Sequence, residues 1–144
     1  MKSLLEKLNY KGQTRIALIN SEKNLDPGTL KELEGIRVDS EIDQRFPYSF
    51  MIIFVKKPAE IDKYAPMALH NLIADGTLWF CYPKKTSRKF TSAIDRDHSW
   101  KALNDEGFYG IRLVSFDEDW SALRFRNRKY IKSSSDRFAE PKCN

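Results

Sequence analysis

The stretch Asp75-Gly76-Thr77-Leu78-Trp79-Phe80-Cys81-Tyr82-Pro83-Lys84-Lys85 constrains the fold of this chain more than any other. A glycine opens an apolar run and a proline hands it to a cationic loop. A buried strand reads this way when it delivers a basic loop to one edge of a sheet. Ligand sites of open α/β sheets lie outside such strand ends.

The remaining pattern supplies neighbours for that strand. Leu4, Leu5 and Leu8 are spaced as on a short helix, which Lys11-Gly12-Gln13 ends. Thr14 to Asn20 reads as a strand, continuously apolar from Ile16 to Ile19, as suits a strand covered on both faces. Asp26 and Pro27 form a helix start, with Leu25 and Leu30 as a hydrophobic staple and Gly35 as the stop. Ile36-Arg37-Val38 is a brief second strand. Tyr48 to Val55, rich in β-branched and aromatic residues, is the strongest strand signal. A helical pattern through Ile61, Tyr64 or Ala65, Ala68 or Leu69, and Leu72 follows, with Pro66 predicting a kink or two consecutive helices and Asp75-Gly76 the stop. Asp95 or Asp97 is placed to cap a helix that buries Trp100 and Leu103 and ends at Gly107. The last unit is a hairpin of Phe108–Phe116 and Trp120–Arg126, joined by the acidic turn Asp117-Glu118-Asp119.

Strands alternating with helices predict a mostly parallel sheet covered on both faces, with right-handed crossovers. The expected fold is a reduced Rossmann-like three-layer α/β/α sandwich, closed at one edge by the C-terminal antiparallel hairpin. At 144 residues the chain forms one domain, expected over residues 1–132, with 133–144 as a flexible tail. No apolar run reaches bilayer length, and the first eight residues are too charged for a signal peptide, so a cytoplasmic location is expected. Cys81 and Cys143 lack metal-ligand spacing, so neither a metal nor a bound cofactor is expected.

The second half resembles the end of a class I methyltransferase fold, over roughly residues 48–126. There a strong strand is followed by a helix, a glycine-started strand, a helix and an antiparallel hairpin. The cofactor half departs from that pattern. A methyltransferase follows its first strand with a glycine-rich turn and later an acidic residue for the ribose hydroxyls. Here the turn is Asn20-Ser21-Glu22-Lys23-Asn24, with no glycine before Gly28, and Asp39 after the second strand is by itself a weak match to the acidic residue. S-adenosylmethionine binding is therefore not expected. A further similarity, carried by Asp75-Gly76 through Trp79, Pro83-Lys84 and Trp120-Ser121-Ala122 with Arg124, is to small bacterial proteins of a domain family of unknown function, numbered 3052. It implies no activity and no catalytic residue.

Function therefore rests on charge placement. The net charge is +5, and the excess lies in the second half, with 14 Lys/Arg against 10 Asp/Glu in residues 73–144. Asn20, Ser21, Lys56, Lys84 and Lys85 all follow strands predicted to be parallel. They would share the carboxyl edge, where lysines can hold a phosphate or carboxylate as point charges. Loops after strands are polar in any case, so solvation alone also explains these residues. A second cluster, Arg124, Arg126, Arg128 and Lys129, lies opposite Leu123 and Phe125 on the last strand and just beyond it. It suits nucleic-acid phosphates, and equally the protection of a sheet edge or pairing with Asp117, Glu118 and Asp119. Trp79, Trp100 and Trp120 read as packing, and neither His70 nor His98 belongs to a catalytic set. The preferred reading is a non-catalytic Rossmann-like binding or regulatory module with an anion-accepting crevice at the carboxyl edge. The alternatives are a nucleic-acid-binding protein using the basic hairpin and a small enzyme acting on a phosphorylated or carboxylate substrate. A homodimer through the edge hairpin is a further possibility, if Trp120 and Phe125 exceed what one copy can cover.

Overall fold

In a computed structural model, residues 3–21, 31–91, 93–94 and 100–131 are described. The elements are α1 (Leu4–Lys7), β1 (Arg15–Ile19), β2 (Arg37–Asp39), β3 (Tyr48–Phe54), α2 (Pro58–Asn71), β4 (Leu72–Pro83), α3 (Lys101–Asn104), β5 (Phe108–Ser115) and β6 (Trp120–Asn127), followed by a 3-10 turn, Arg128–Tyr130. The proposed caps Asp26, Pro27, Asp95 and Asp97, together with His98, Cys143 and the tail from residue 132, lie outside the described residues.

The sheet has six strands in the order β2-β1-β3-β4-β6-β5. β1 pairs in parallel with β2 and β3, and β3 with β4. β6 runs antiparallel to both β4 and β5, so β5 again follows the direction of the first four. The closing hairpin is thus folded in sideways: its second strand pairs with β4, and its first strand forms the edge. The order reverses between β1 and β3, which makes their carboxyl ends the topological switch point.

Side chains of the central strands alternate between two apolar layers. Ala17, Ile19, Met51, Ile53, Leu78, Phe80, Leu123 and Phe125 face α2 and α3, meeting Ile61, Ala65, Ala68, Trp100 and Leu103. Ile16, Leu18, Phe50, Ile52, Phe54, Trp79, Cys81 and Ala122 face the opposite side, with Leu4 and Leu8 at α1, then Leu33, Ile36 and Phe90. Two covered faces explain why β1, β3 and β4 read as unbroken apolar runs. Trp79 is fully buried and its indole donates to the Leu8 carbonyl at 2.7 Å, which ties the end of α1 to the sheet.

Three expectations need correction. α2 is one helix through Pro66 and not two consecutive ones, with the proline on its exposed side. Losing one N–H there is compatible with a continuous helix, because Ile61, Ala65 and Ala68 hold its inner face against the sheet. Second, Asp75-Gly76 is not a helix stop: α2 ends at Asn71 and β4 starts at once, with a register irregularity between Leu72 and Thr77 that includes Asp75 at φ 54. Third, the helix around Trp100 is a single turn that begins after it. Trp100 itself packs on Phe80, Tyr82 and Phe125. Gly35 and Gly107 do take the left-handed conformation expected of stops, at φ 83 and 84.

Candidate functional site

At the switch point, Asn20 follows β1 with φ 60, a region few residues other than glycine and asparagine enter readily. Its amide donates to the Phe54 carbonyl at 2.8 Å and to Glu60 Oε2 at 3.3 Å, so it fastens the ends of β1 and β3 together. Glu60, in the first turn of α2, also accepts from the backbone N–H of Lys56. A carboxylate in a first turn faces the positive end of the helix dipole. Lys56 lays its ammonium over the Phe90 ring, 4.8 Å from the centroid. Ser21 is half-buried beside this frame.

Lys84 and Lys85 leave β4 at the same edge but serve a different neighbour. The Lys84 N–H donates to the Asp119 carbonyl at 2.8 Å, and its ammonium to Ser115 Oγ at 2.8 Å. Ser87 Oγ donates to Asp119 Oδ1 at 2.9 Å. The basic loop is therefore stitched to the β5–β6 turn, while Lys85 is exposed. Asn20, Lys56 and Glu60 come together; Lys84 joins the acidic turn.

That turn lies at the end of β6 opposite to Arg124 and Arg126, so Asp117, Glu118 and Asp119 do not neutralise the arginines. Arg126 instead holds Asp75 bidentately, with both contacts at 2.8 Å. The arginine's hydrogen bonds keep the Asp75 carboxyl below the ordinary aspartate value and raise the Arg126 guanidinium. Arg128 and Lys129 are exposed on the 3-10 turn. As expected, Leu123 and Phe125 occupy the face opposite to Arg124. Trp120 and Phe125 are buried by their own chain, 3% and 1% exposed, so neither supplies an uncovered surface for a second copy.

The acid after β2 has a structural task. Asp39 Oδ2 accepts from Arg15 Nε at 2.7 Å and from the Tyr48 hydroxyl, and Oδ1 accepts from Arg37 Nε at 3.2 Å. Arg15 reaches on to Asp43 Oδ2 at 3.0 Å and stacks over Phe46 at 4.0 Å. Burial pushes the Asp39 carboxyl up, but the bonds from Tyr48, Arg15 and Arg37 outweigh it and hold the group below its ordinary value. Both oxygens of Asp39 are thus already engaged by side chains of the chain itself, Oδ1 by Arg37 at the surface, where ribose recognition would need them free. The residue does not fit the ribose-binding role that a methyltransferase cofactor requires. His70 is exposed on α2, bordering a shallow groove with Pro66, Leu69, Ala102 and Glu106. The Cys81 thiol is buried, and burial pushes it well above its ordinary value, which makes it unreactive.

No protein-family model matches the chain, and no curated protein sequence matches it. Solved structures do. The fibrillarin pre-rRNA processing protein of Methanococcus jannaschii superposes with a TM-score of 0.50 at 12% identity, over 89% of this chain and 70% of that one. A protein in the NADB-Rossmann superfamily from Streptococcus agalactiae superposes with a TM-score of 0.50 at 11% identity, over 94% and 72% respectively. These likenesses establish the fold: a six-stranded Rossmann-like sheet. No helix among the described residues is long and apolar enough to cross a membrane.

Glu60 and Asp39 are the polar residues whose importance the sequence alone did not reveal. Glu60 reads as one more charge on a solvated helix face. The available signal was its place in the first turn after a strand end, four residues from Lys56.

Proposed function

We propose that this chain is a non-catalytic binding or regulatory module, taking a small anionic ligand in the crevice at the carboxyl ends of β1 and β3, bordered by Asn20, Ser21 and Lys56. The observation that carries this reading is the frame in which Asn20 and Glu60 lock the two strand ends and the Lys56 backbone together. It gives the switch point a rigid polar floor, and preorganisation of that kind lowers the cost of binding. Lys56 supplies the charge for the anion, while Glu60 can accept a hydroxyl or amine of the same ligand. Lys84 and Lys85 border the crevice on the side of β4 and contribute at longer range. The engagement of Asp39 favours a ligand other than S-adenosylmethionine. The resemblance to the bacterial family numbered 3052 belongs to the same proposal, since that family implies no activity.

Thermal denaturation against a panel of nucleotides, phosphosugars and acyl phosphates tests it. At least one anion raises the midpoint of the wild-type chain, and Lys56→Ala removes that rise. If the panel leaves the midpoint unmoved, or Lys56→Ala responds like wild type, the crevice is not a ligand site.

A further inference from the structure

The sheet face that carries Trp79 holds a charge arrangement with no structural explanation. On that face Trp79 of β4, Arg124 of β6 and Arg112 of β5 stand in one row, as direct cross-strand partners. Arg124 is on an inner strand, flanked by β4 and β6's other neighbour β5, so edge protection does not account for it. Its neighbours along β6 on this face are Ala122, which is buried, and Arg126. An apolar residue would suit the position.

Arg112 reaches Arg124 through an irregularity in the ladder. The register shifts between Gly110 and Arg112, leaving Ile111 as the extra residue. Without that bulge, Ile111 would stand opposite Arg124. Bulges of this kind re-aim side chains, and they recur next to binding sites. Here the effect is to set two arginines directly opposite each other, which destabilises a sheet.

Nothing among the described residues compensates the two arginines. Among these residues Arg126 completes a group of three guanidiniums, and the one carboxylate acting on Arg124, Asp75, is held by Arg126. Among the described residues, the buried Nε of Arg124 has no hydrogen-bond partner. Burial lowers the guanidinium's proton affinity, and Arg126 and Arg112 act in the same direction against Asp75. A buried donor left unsatisfied, beside like charges, costs stability. Local conflicts without compensation mark functional positions.

We propose that Arg112 and Arg124, with Arg126 steadied on Asp75, form a binding site for the phosphoryl group of a phosphorylated ligand, on the sheet face beside Trp79. Two guanidinium forks match the several oxygens of a phosphate, and a dianion neutralises the excess charge of the cluster. Arg128 and Lys129 continue the positive surface past the end of β6, in the direction a polyphosphate chain would take. This site is separate from the crevice at the carboxyl edge, since Arg124 and Arg126 lie toward the opposite end of β6.

The test uses the full chain and inorganic phosphate, compared with chloride at equal ionic strength. Phosphate raises the unfolding midpoint. Arg112→Gln and Arg124→Gln each weaken its apparent affinity by about tenfold, the effect of losing one charge-assisted contact. In chloride alone, Arg112→Gln melts higher than wild type, because it relieves the opposed pair; this exposed position also guards against a variant that fails to fold. A twelve-residue single-stranded oligonucleotide separates the two sources of phosphate. Binding that falls steeply with salt and weakens in Arg128→Gln and Lys129→Gln assigns the group to nucleic acid. Binding of inorganic phosphate with no gain from the oligonucleotide assigns it to a small ligand. The proposal is overturned if phosphate stabilises no more than chloride, or if its effect survives Arg112→Gln and Arg124→Gln but disappears in Lys56→Ala.

Discussion

Asp39 shows at the residue scale how one carboxylate can close a route to function while holding a fold together. It joins Arg15 and Arg37, at the starts of β1 and β2, to Tyr48 at the start of β3. Tyr48 is fully buried, so Tyr48→Phe keeps its packing and removes the hydroxyl, at a cost of about 1.5 to 3 kcal/mol for a bond to a charged group. Urea denaturation measures that loss as a lower midpoint with unchanged slope. The pH dependence has a definite sign. Asp39 is held below its ordinary 3.8, so the stability it adds is present above that value and is lost as pH falls through its lowered folded value. Asp43 and Asp75 are displaced in the same direction and contribute to the same acid limb. Asp39→Asn therefore flattens the fall in stability below about pH 4 while lowering stability near neutrality. An acid limb unchanged by that substitution would remove Asp39 from the account.

Among the elements, α1 is four residues long and cannot be stable alone. It is retained through a capping box at Ser3 and Glu6, burial of Leu8, and the bond from Trp79 to the Leu8 carbonyl. Trp79→Phe keeps an aromatic ring against the sheet but leaves that carbonyl without its donor. We expect a loss of about 1 to 3 kcal/mol, with hydrogen-exchange protection of residues 5–10 falling before that of β3. Equal loss of protection in both would show that α1 is not held separately. The legible elements were those whose apolar runs are long relative to their ends: β1, β3 and the Leu78–Tyr82 part of β4. The start of β4 was hidden because Ile73, Ala74 and Asp75 are exposed and precede a glycine, which reads as a helix exit. The insertion of β6 between β4 and β5 was hidden for another reason. Neighbourhood in a sheet is decided by pairings such as Phe80 with Leu123, which join residues far apart in sequence. The bulge that brings Arg112 to Arg124 is likewise a property of pairing, with Gly110 as its one local sign.

Across the whole molecule, the two ends of the sheet differ in electrostatic character. At the carboxyl edge the Lys84 loop is matched by the Asp119 turn, and the Asn20–Glu60 frame stands beside Lys56. Toward the other end of β6, Arg112 and Arg124 stand beside Arg126, which holds Asp75. The sequence showed both basic clusters but assigned the acidic turn to the wrong one as a candidate partner, because only the course of β6 decides which end it occupies. The switch-point reading is tested most directly by mapping backbone amide shifts of the full chain by NMR during titration with the nucleotide, phosphosugar and acyl phosphate panel. A binding ligand is expected to move the amides of Asn20, Ser21 and Lys56 most. Shifts that avoid those three residues, or no shift with any member of the panel, would contradict that reading.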